Sequence, residues 1–424
     1  MKSESTTIEV SGTNGALPTA DRFTVRDLYH PEVIANPYPF YDLLRERPVQ
    51  FGLEDFPPGT VPGQDKPIPA WVFLTHEHVT EVCKRHDVFS SRDRMQEESS
   101  APTLMLVNHD PPRHTVLRNI ARQAFTPKRV GRDVAPWMAD VVAQQLDQHA
   151  HGEIDFMADL APNLPALVMT KLIGTPQEDF VRLRRWANAF MVTSDFTVEE
   201  RNQCNIELWQ YYVENVEGRY AMIERGVEPP DDLMTAFIQA ESDGLTLTRE
   251  EVVRFCVTLV VAGAETTGYL LGNLIATLVE EPHFFDQLKE DRKLVRPFIE
   301  ESLRRDGPVQ RLHRECVEDF EIGGATVKAG EWVAIFFASA NRDPAVWERP
   351  NDFILKRPNI GRHMTFSHGI HHCLGSGIAR NEAQQLLAGI LDRFSGIEPG
   401  SAPMVRQRGG LLNYGLETCP VRFV

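Results

Sequence analysis

Residues 1–24 carry no apolar h-region, being rich in Ser, Thr and Gly, and no uninterrupted apolar run in the 424 residues approaches the length of a bilayer span. A secretory signal and a membrane anchor are therefore not expected. The chain reads as a soluble, cytoplasmic protein with a flexible tail over residues 1–24. Cysteine is sparse: six are scattered at positions 83, 204, 256, 316, 373 and 419 without a C-x-x-C pair, which argues against a disulfide framework or a zinc site. Basic residues are outnumbered, 44 to 60, and the formal charge of −16 argues against a nucleic-acid partner. Internal repeats and low-complexity tracts are absent, so a solenoid is not expected.

What remains is an ordinary globular composition, 42% hydrophobic and 25% charged, able to build a large core. Helical periodicity dominates. Strand signals are confined to residues 49–51, 71–75 and a patch at 317–337; the first two flank a Pro/Gly-rich connection at 56–69 to which no chemistry attaches. The expectation is a mainly α chain with a minor β region, folded as a single domain over residues 25–424.

The most distinctive stretch is 366–375, Phe-Ser-His-Gly-Ile-His-His-Cys-Leu-Gly. Apolar residues follow it at helical spacing through Leu386, Leu387, Ile390, Leu391 and Phe394. It reads as a glycine-rich loop that delivers Cys373 to a helix N-terminus, where backbone N–H groups and the helix dipole lower a thiol's pKa. Gly369 and Gly375 leave space for a bulky group to approach the backbone. Phe366 can pack beside the sulfur, and His371 offers a ring nitrogen. A lone cysteine is more often an inert buried thiol. A single thiolate ligand to haem iron needs what this loop has: one Cys, no second thiol nearby and open glycines.

Phe366, Gly369, His371, Cys373 and Gly375 resemble, position by position, the haem-binding loop of the cytochrome P-450 superfamily; His371 stands where that family has Arg or His. The resemblance implies the single-domain cytochrome P-450 fold, and haem b (iron protoporphyrin IX) held by the Cys373 thiolate. Asp110-Pro111-Pro112 opens a helix on which His114 and Arg118 lie four apart, on one face. By composition this is a solvated basic surface. The resemblance instead makes His114 and Arg118 haem-propionate contacts, with Arg314 a third.

Thr248 and Glu251 form a capping box and Pro282 ends the pattern, which gives a helix on the order of 45 Å long. Residues 255–264 are apolar nearly all round, apart from Thr258, so this helix must cross the core. Glu265 then needs a partner or water, because an unpaired buried carboxylate would rather neutralise. It could simply turn to a solvated edge. The resemblance is more specific: 262–266 (Ala-Gly-Ala-Glu-Thr) matches the family's acid–alcohol pattern. There the helix opens locally, small residues such as Ala262 make room beside the iron, Thr266 hydrogen-bonds bound dioxygen and Glu265 relays protons.

The same resemblance makes Glu301 and Arg304 a structural ion pair, about seventy residues before Cys373. Its third member stays open between Arg342 and Arg357, since Asp352 stands where many members carry Arg. A largely apolar substrate lining is implied from Leu104, Val107, Thr258, Val261, Val309, Leu312, Leu411 and Leu412. The implied activity is that of a haem-thiolate monooxygenase, activating O2 to hydroxylate or epoxidise a mostly apolar small molecule such as a natural-product intermediate. Electrons would come from a separate ferredoxin or flavodoxin-type donor and an NAD(P)H-dependent reductase, and the enzyme would act as a monomer. Two alternatives stand beside this. A peroxide-driven or rearranging haem-thiolate enzyme would more often lack the Glu265–Thr266 pair, and a non-catalytic haem gas-binding protein would carry a further regulatory module.

Residues 111–132 contain no acid but do contain Arg113, Arg118, Arg122, Lys128, Arg129 and Arg132, a face suited to an acidic electron donor. Charge reversal at Arg122, Lys128 and Arg129 is expected to raise the apparent KM for a ferredoxin, on the order of tenfold at low salt. An unchanged KM in reconstituted turnover removes the docking reading.

Overall fold

A computed structural model describes residues 22–24, 27–28, 30–54, 68–93, 103–125, 134–149, 152–190, 196–407 and 412–424. The helices that build the site are α1 (His76–Lys84), α2 (Arg113–Ala124), α3 (Asn163–Ile173), α4 (Phe180–Phe190), α5 (Val198–Glu224), α6 (Arg249–Glu280), α7 (Val295–Arg305) and α8 (Ser376–Arg393). Beside them lies a sheet of β1 (Val49–Glu54), β2 (Ile68–Phe73), β3 (Phe89–Ser90), β4 (Arg311–Cys316) and β5 (Trp332–Phe336), in the order β1-β2-β5-β4-β3. All neighbours are antiparallel except β2 and β5. The architecture is the expected one, mainly α with a smaller sheet. The strand patch begins earlier than its pattern indicated, at Arg311. The polar β4 has no alternation of its own and takes its conformation from pairing with the apolar β5, Arg314 opposite Val333. The expected tail falls largely outside the described residues, but Phe23 is buried and stacks on Phe40 with ring centroids 5.0 Å apart.

The centre is α6. Its capping box is formed: the Thr248 hydroxyl accepts the Glu251 amide at 3.2 Å, and the Glu251 carboxylate accepts the Thr248 amide at 2.9 Å. By length and mean hydropathy α6 could cross a bilayer, although polar residues interrupt its apolar runs. Of its most apolar window, 72% is buried inside the fold, so it is a core helix. It packs on α3, α4, α5, α7 and α8. Gly263 lets α3 come close: a Cβ there would stand 2.7 Å from Met169 Sδ.

Behind the site α7 carries a buried ionic cluster. Arg304 donates to both Glu301 oxygens, at 2.9 and 2.8 Å, and both residues are fully buried. Arg357 is the third member, its Nε 2.9 and 3.1 Å from the same carboxylate, with the Ile354 amide donating at 2.9 Å. Arg342 is engaged elsewhere, with Asp306 at 3.0 Å and the Arg305 carbonyl at 2.6 Å. Asp352 contributes its carbonyl, which accepts from Arg304 and Arg357, while its exposed side chain turns to Arg349. Arg357→Met is expected to destabilise the protein by about 3–5 kcal/mol in urea unfolding, because it strips a buried carboxylate of one partner. Asp352→Ala, which keeps the carbonyl, should stay within about 0.5 kcal/mol of wild type. Equal stability of the two variants would take the third place away from Arg357.

Candidate active site

Cys373 is held by its own loop. Its amide donates to the Phe366 carbonyl at 2.8 Å, and α8 begins at Ser376 with Gly375 as N-cap. Arg380, on the second turn of α8, lies over the Phe366 ring at 4.4 Å and pairs with Glu300 of α7 at 2.7 Å. Burial alone would raise the Glu300 carboxyl. Hydrogen bonds from His363 and Arg380 outweigh it and bring the group to about 2. Gly369, at φ +71°, faces α1, and a Cβ there would stand 2.6 Å from the Cys83 carbonyl. Its space is taken by the protein's own backbone rather than left open for a bulky group, which corrects the expectation. Gly375 does line the cavity.

A cavity of about 300 Å³ lies between this loop and α6. Phe366, Cys373, Leu374 and Gly375 form one wall; Leu259, Ala262, Gly263, Thr266 and Thr267 belong to the other. The Cys373 side chain is open to it. Burial pushes the thiol up, and the N–H groups of Gly375 and Ser376, with Arg118 and Arg380, offset this only in part. The expected lowering at a helix end is present but outweighed.

Thr266 reaches the wall, its hydroxyl donating to the Ala262 carbonyl at 2.9 Å. The expected local opening is not seen: α6 stays helical through 262–266. Glu265 is half-buried and off the cavity wall, since adjacent helical positions sit about 100° apart. The Tyr269 hydroxyl donates to it at 2.8 Å, the partner that a partly buried carboxylate requires.

Of the expected substrate lining, Val107, Thr258, Val309 and Leu312 are on the wall. Val261 is not; five positions from Thr266 it lies about 140° round α6, 2% exposed in the core. Leu104 precedes a turn that presents residues 105–107 instead, and the Leu412 carbonyl is tied to the Gln310 amide at 2.9 Å. Leu411 lies outside the described residues, as do Lys128, Arg129 and Arg132. Residues 255, 259 and 270 were missed, although they follow from helical spacing once Thr266 is placed; Thr267, one position on, was missed and does not. Met105, Leu106, Met169 and Phe337 come from other elements without a motif.

The charged groups are unusual. Arg118 and Arg314 line the cavity, and Arg118 donates to the His372 carbonyl at 2.7 Å and Arg314 to the His313 carbonyl at 2.6 Å. Among the described residues neither pairs with a carboxylate, and burial depresses both guanidinium pKa values. His371 lines the cavity with its Nε2 2.9 Å from the Ser91 hydroxyl. His114 is not on the wall: it is 2% exposed, its ring packs on that of His371 with centroids 4.4 Å apart, and its Nε2 is buried without a hydrogen-bond partner among the described residues. Burial, with nearby Arg side chains, lowers His114 to about 4 and His371 to about 2, so both are neutral near pH 7. A further acid, Glu382 of α8, lines the cavity at 1% exposure with Oε2 unpartnered among the described residues, and burial pushes its carboxyl well above the usual range.

A profile of the cytochrome P-450 family matches residues 64–413. The chain belongs to the cytochrome P-450 family. It is 34% identical to cytochrome P-450 109 of Bacillus spizizenii over 85% of each chain. It is 32% identical to the steroid C26-monooxygenase of Mycolicibacterium smegmatis, over 88% of this chain and 87% of that one. Among solved structures, CYP109E1 from Bacillus megaterium in complex with testosterone superimposes with a TM-score of 0.78 at 31% identity, covering 92% of this chain and 99% of that one. This cytochrome P-450 is a monooxygenase, and its family implies a haem-thiolate cofactor, a substrate, O2 and redox partners.

The residues present fit such a group: an open thiol, small residues opposite it, and two arginines lacking the carboxylates that a porphyrin carries. An unpaired buried cation costs stability. Arg314→Leu is therefore expected to leave the haem-free protein at least as stable as wild type in urea, while haem content after purification falls several-fold. Destabilisation of the haem-free variant by more than about 1 kcal/mol would make Arg314 a structural residue instead.

Proposed function

We propose that this cytochrome P-450 holds haem b through the Cys373 thiolate and hydroxylates or epoxidises a neutral, mostly apolar small molecule, a natural-product intermediate or a steroid-sized compound. Electrons would reach it from a ferredoxin or flavodoxin-type donor and an NAD(P)H-dependent reductase, in the cytoplasm and with the enzyme a monomer. The observation that carries this is the Cys373 thiol open to a cavity whose facing wall is Ala262, Gly263 and Thr266. The steroid relative and the testosterone complex of a similar structure support the substrate size.

Haem, when bound, supplies the oxygen activation and the insertion of one oxygen atom into substrate. The chain's own residues divide the remaining work. Arg118 and Arg314 would take the propionates, with His371, fixed by Ser91, beside them. Thr266 is the hydroxyl on the facing wall. Turning it from the Ala262 carbonyl into the cavity breaks one hydrogen bond, at a cost of about 1 kcal/mol. Glu265, steadied by Tyr269 and next to Thr266 in sequence, would then return a proton to that hydroxyl. Met105, Leu259, Val309 and Leu312 exclude water and favour an apolar substrate. Arg122 is exposed on α2 and would belong to the donor's docking face.

Thr266→Ala is expected to lower the yield of product per nicotinamide consumed by roughly tenfold or more, with peroxide released instead and ligand affinity unchanged. Wild-type coupling in that variant would remove Thr266 from proton delivery. A ferrous carbonyl spectrum of histidine-ligated type, unaffected by Cys373→Ser, would overturn the whole reading.

A further inference from the structure

Thr258 is the one hydroxyl in the apolar segment 255–264, and the fold uses it twice. At 5% exposure, its Oγ1 donates to the Arg254 carbonyl one turn back at 2.7 Å and accepts the Met105 amide at 2.8 Å. The bond to its own helix aims the oxygen lone pairs away from α6. Beyond Met105, the Val107 amide donates to the Met105 carbonyl at 2.8 Å, closing a three-residue turn around Leu106 at φ +69°. Such a turn on a bulky residue is strained and persists only where the surroundings hold it. Met105 and Leu106 are 1% and 8% exposed and, with Val107, line the cavity. The Met105 amide is too deep to find water if its acceptor is lost.

We propose that Thr258 is a positioning residue that sets substrate range: its hydroxyl pins the Met105 amide, and so holds the Leu106 turn that presents residues 105–107 to the substrate side of the cavity. This rests on the substrate-cavity reading given above. With its hydroxyl spent on the fold, Thr258 offers a ligand only its methyl. Selection at this position is therefore by shape, favouring a rigid, neutral, apolar compound with no hydrogen-bonding group there.

Thr258→Val keeps the shape and removes the hydroxyl; Thr258→Ser keeps the hydroxyl and removes the methyl. Two measurements decide the matter: amide hydrogen exchange over residues 103–108, and optical titration of the holoenzyme with a small and a large neutral azole, 4-phenylimidazole and clotrimazole. In the Val variant the Met105 amide is expected to exchange faster by on the order of tenfold, from the loss of one buried hydrogen bond. The ratio of the two azole Kd values should change about threefold or more, and the Ser variant, which keeps the pin but not the methyl, should exchange like wild type. Wild-type exchange and an unchanged Kd ratio in Thr258→Val would overturn the proposal, as would a Ser variant whose Met105 amide exchanges as fast as in Val, which would assign the effect to packing. Failure of the wild-type protein to bind haem would show separately in its absorbance and would count against the haem reading, while exchange in the haem-free chain still decides the role of Thr258.

Discussion

The Cys373 amide donates to the Phe366 carbonyl, the Phe366 ring lies under Arg380, and Arg380 grips Glu300. That short chain of contacts fixes the one sulfur the site needs. Its far end is α7, where Glu300 and Glu301 stand side by side and face different partners. Glu300 ties α7 to α8; Glu301 ties it to Arg357 and the Ile354 amide. The buried cluster behind the site and the loop in front of it are therefore anchored on adjacent residues. A shift of α7 would disturb both.

The opposite wall solves a different problem. A helix crossing the core must be apolar, yet this one must also bring polar groups to a cavity. Three of its polar side chains, two of them on the cavity wall, have a local partner. Thr258 bonds to the Arg254 carbonyl, Thr266 to the Ala262 carbonyl and Glu265 to Tyr269, each one helical turn away. Local pairing lowers the cost of burial. It also leaves Thr266 in a state from which it can turn toward a ligand for about the value of one hydrogen bond.

What was legible in the sequence was what is local in the chain. The capping box at Thr248, the helix after Gly375, the Glu301–Arg304 pair and the Cys373 loop are all short-range patterns, and the structure has each of them. What was not legible depends on tertiary placement. Val261 looked like lining because it is apolar and near Thr266, but helical phase sends it to the core. Gly369 looked like room for a ligand, but its freedom is used against the Cys83 carbonyl. His114 matched a motif position; its buried ring packs on His371, and His371 is the one on the wall. Arg357 could not be separated from Arg342 until the 348–357 segment was placed. Glu382 carries no signal in sequence beyond lying on a helix, because its character comes entirely from what fails to surround it.

A contrast in how buried charges are matched singles out the cavity without any motif. Among the described residues several buried charges elsewhere are matched: Arg219 with Asp232 at 2.6 Å, Arg342 with Asp306 at 3.0 Å, Glu301 with two arginines, Glu300 with Arg380 and His363. Around the cavity the matching stops. Among the described residues Arg118 and Arg314 lack carboxylates, and burial raises both the Cys373 thiol and the Glu382 carboxyl. Because unpaired buried polar groups cost stability, a cluster of them on one cavity is not what packing alone would produce. The pattern of what is missing is an acceptor for a thiolate beside acids for two guanidinium groups. A haem with its iron and its propionates has both.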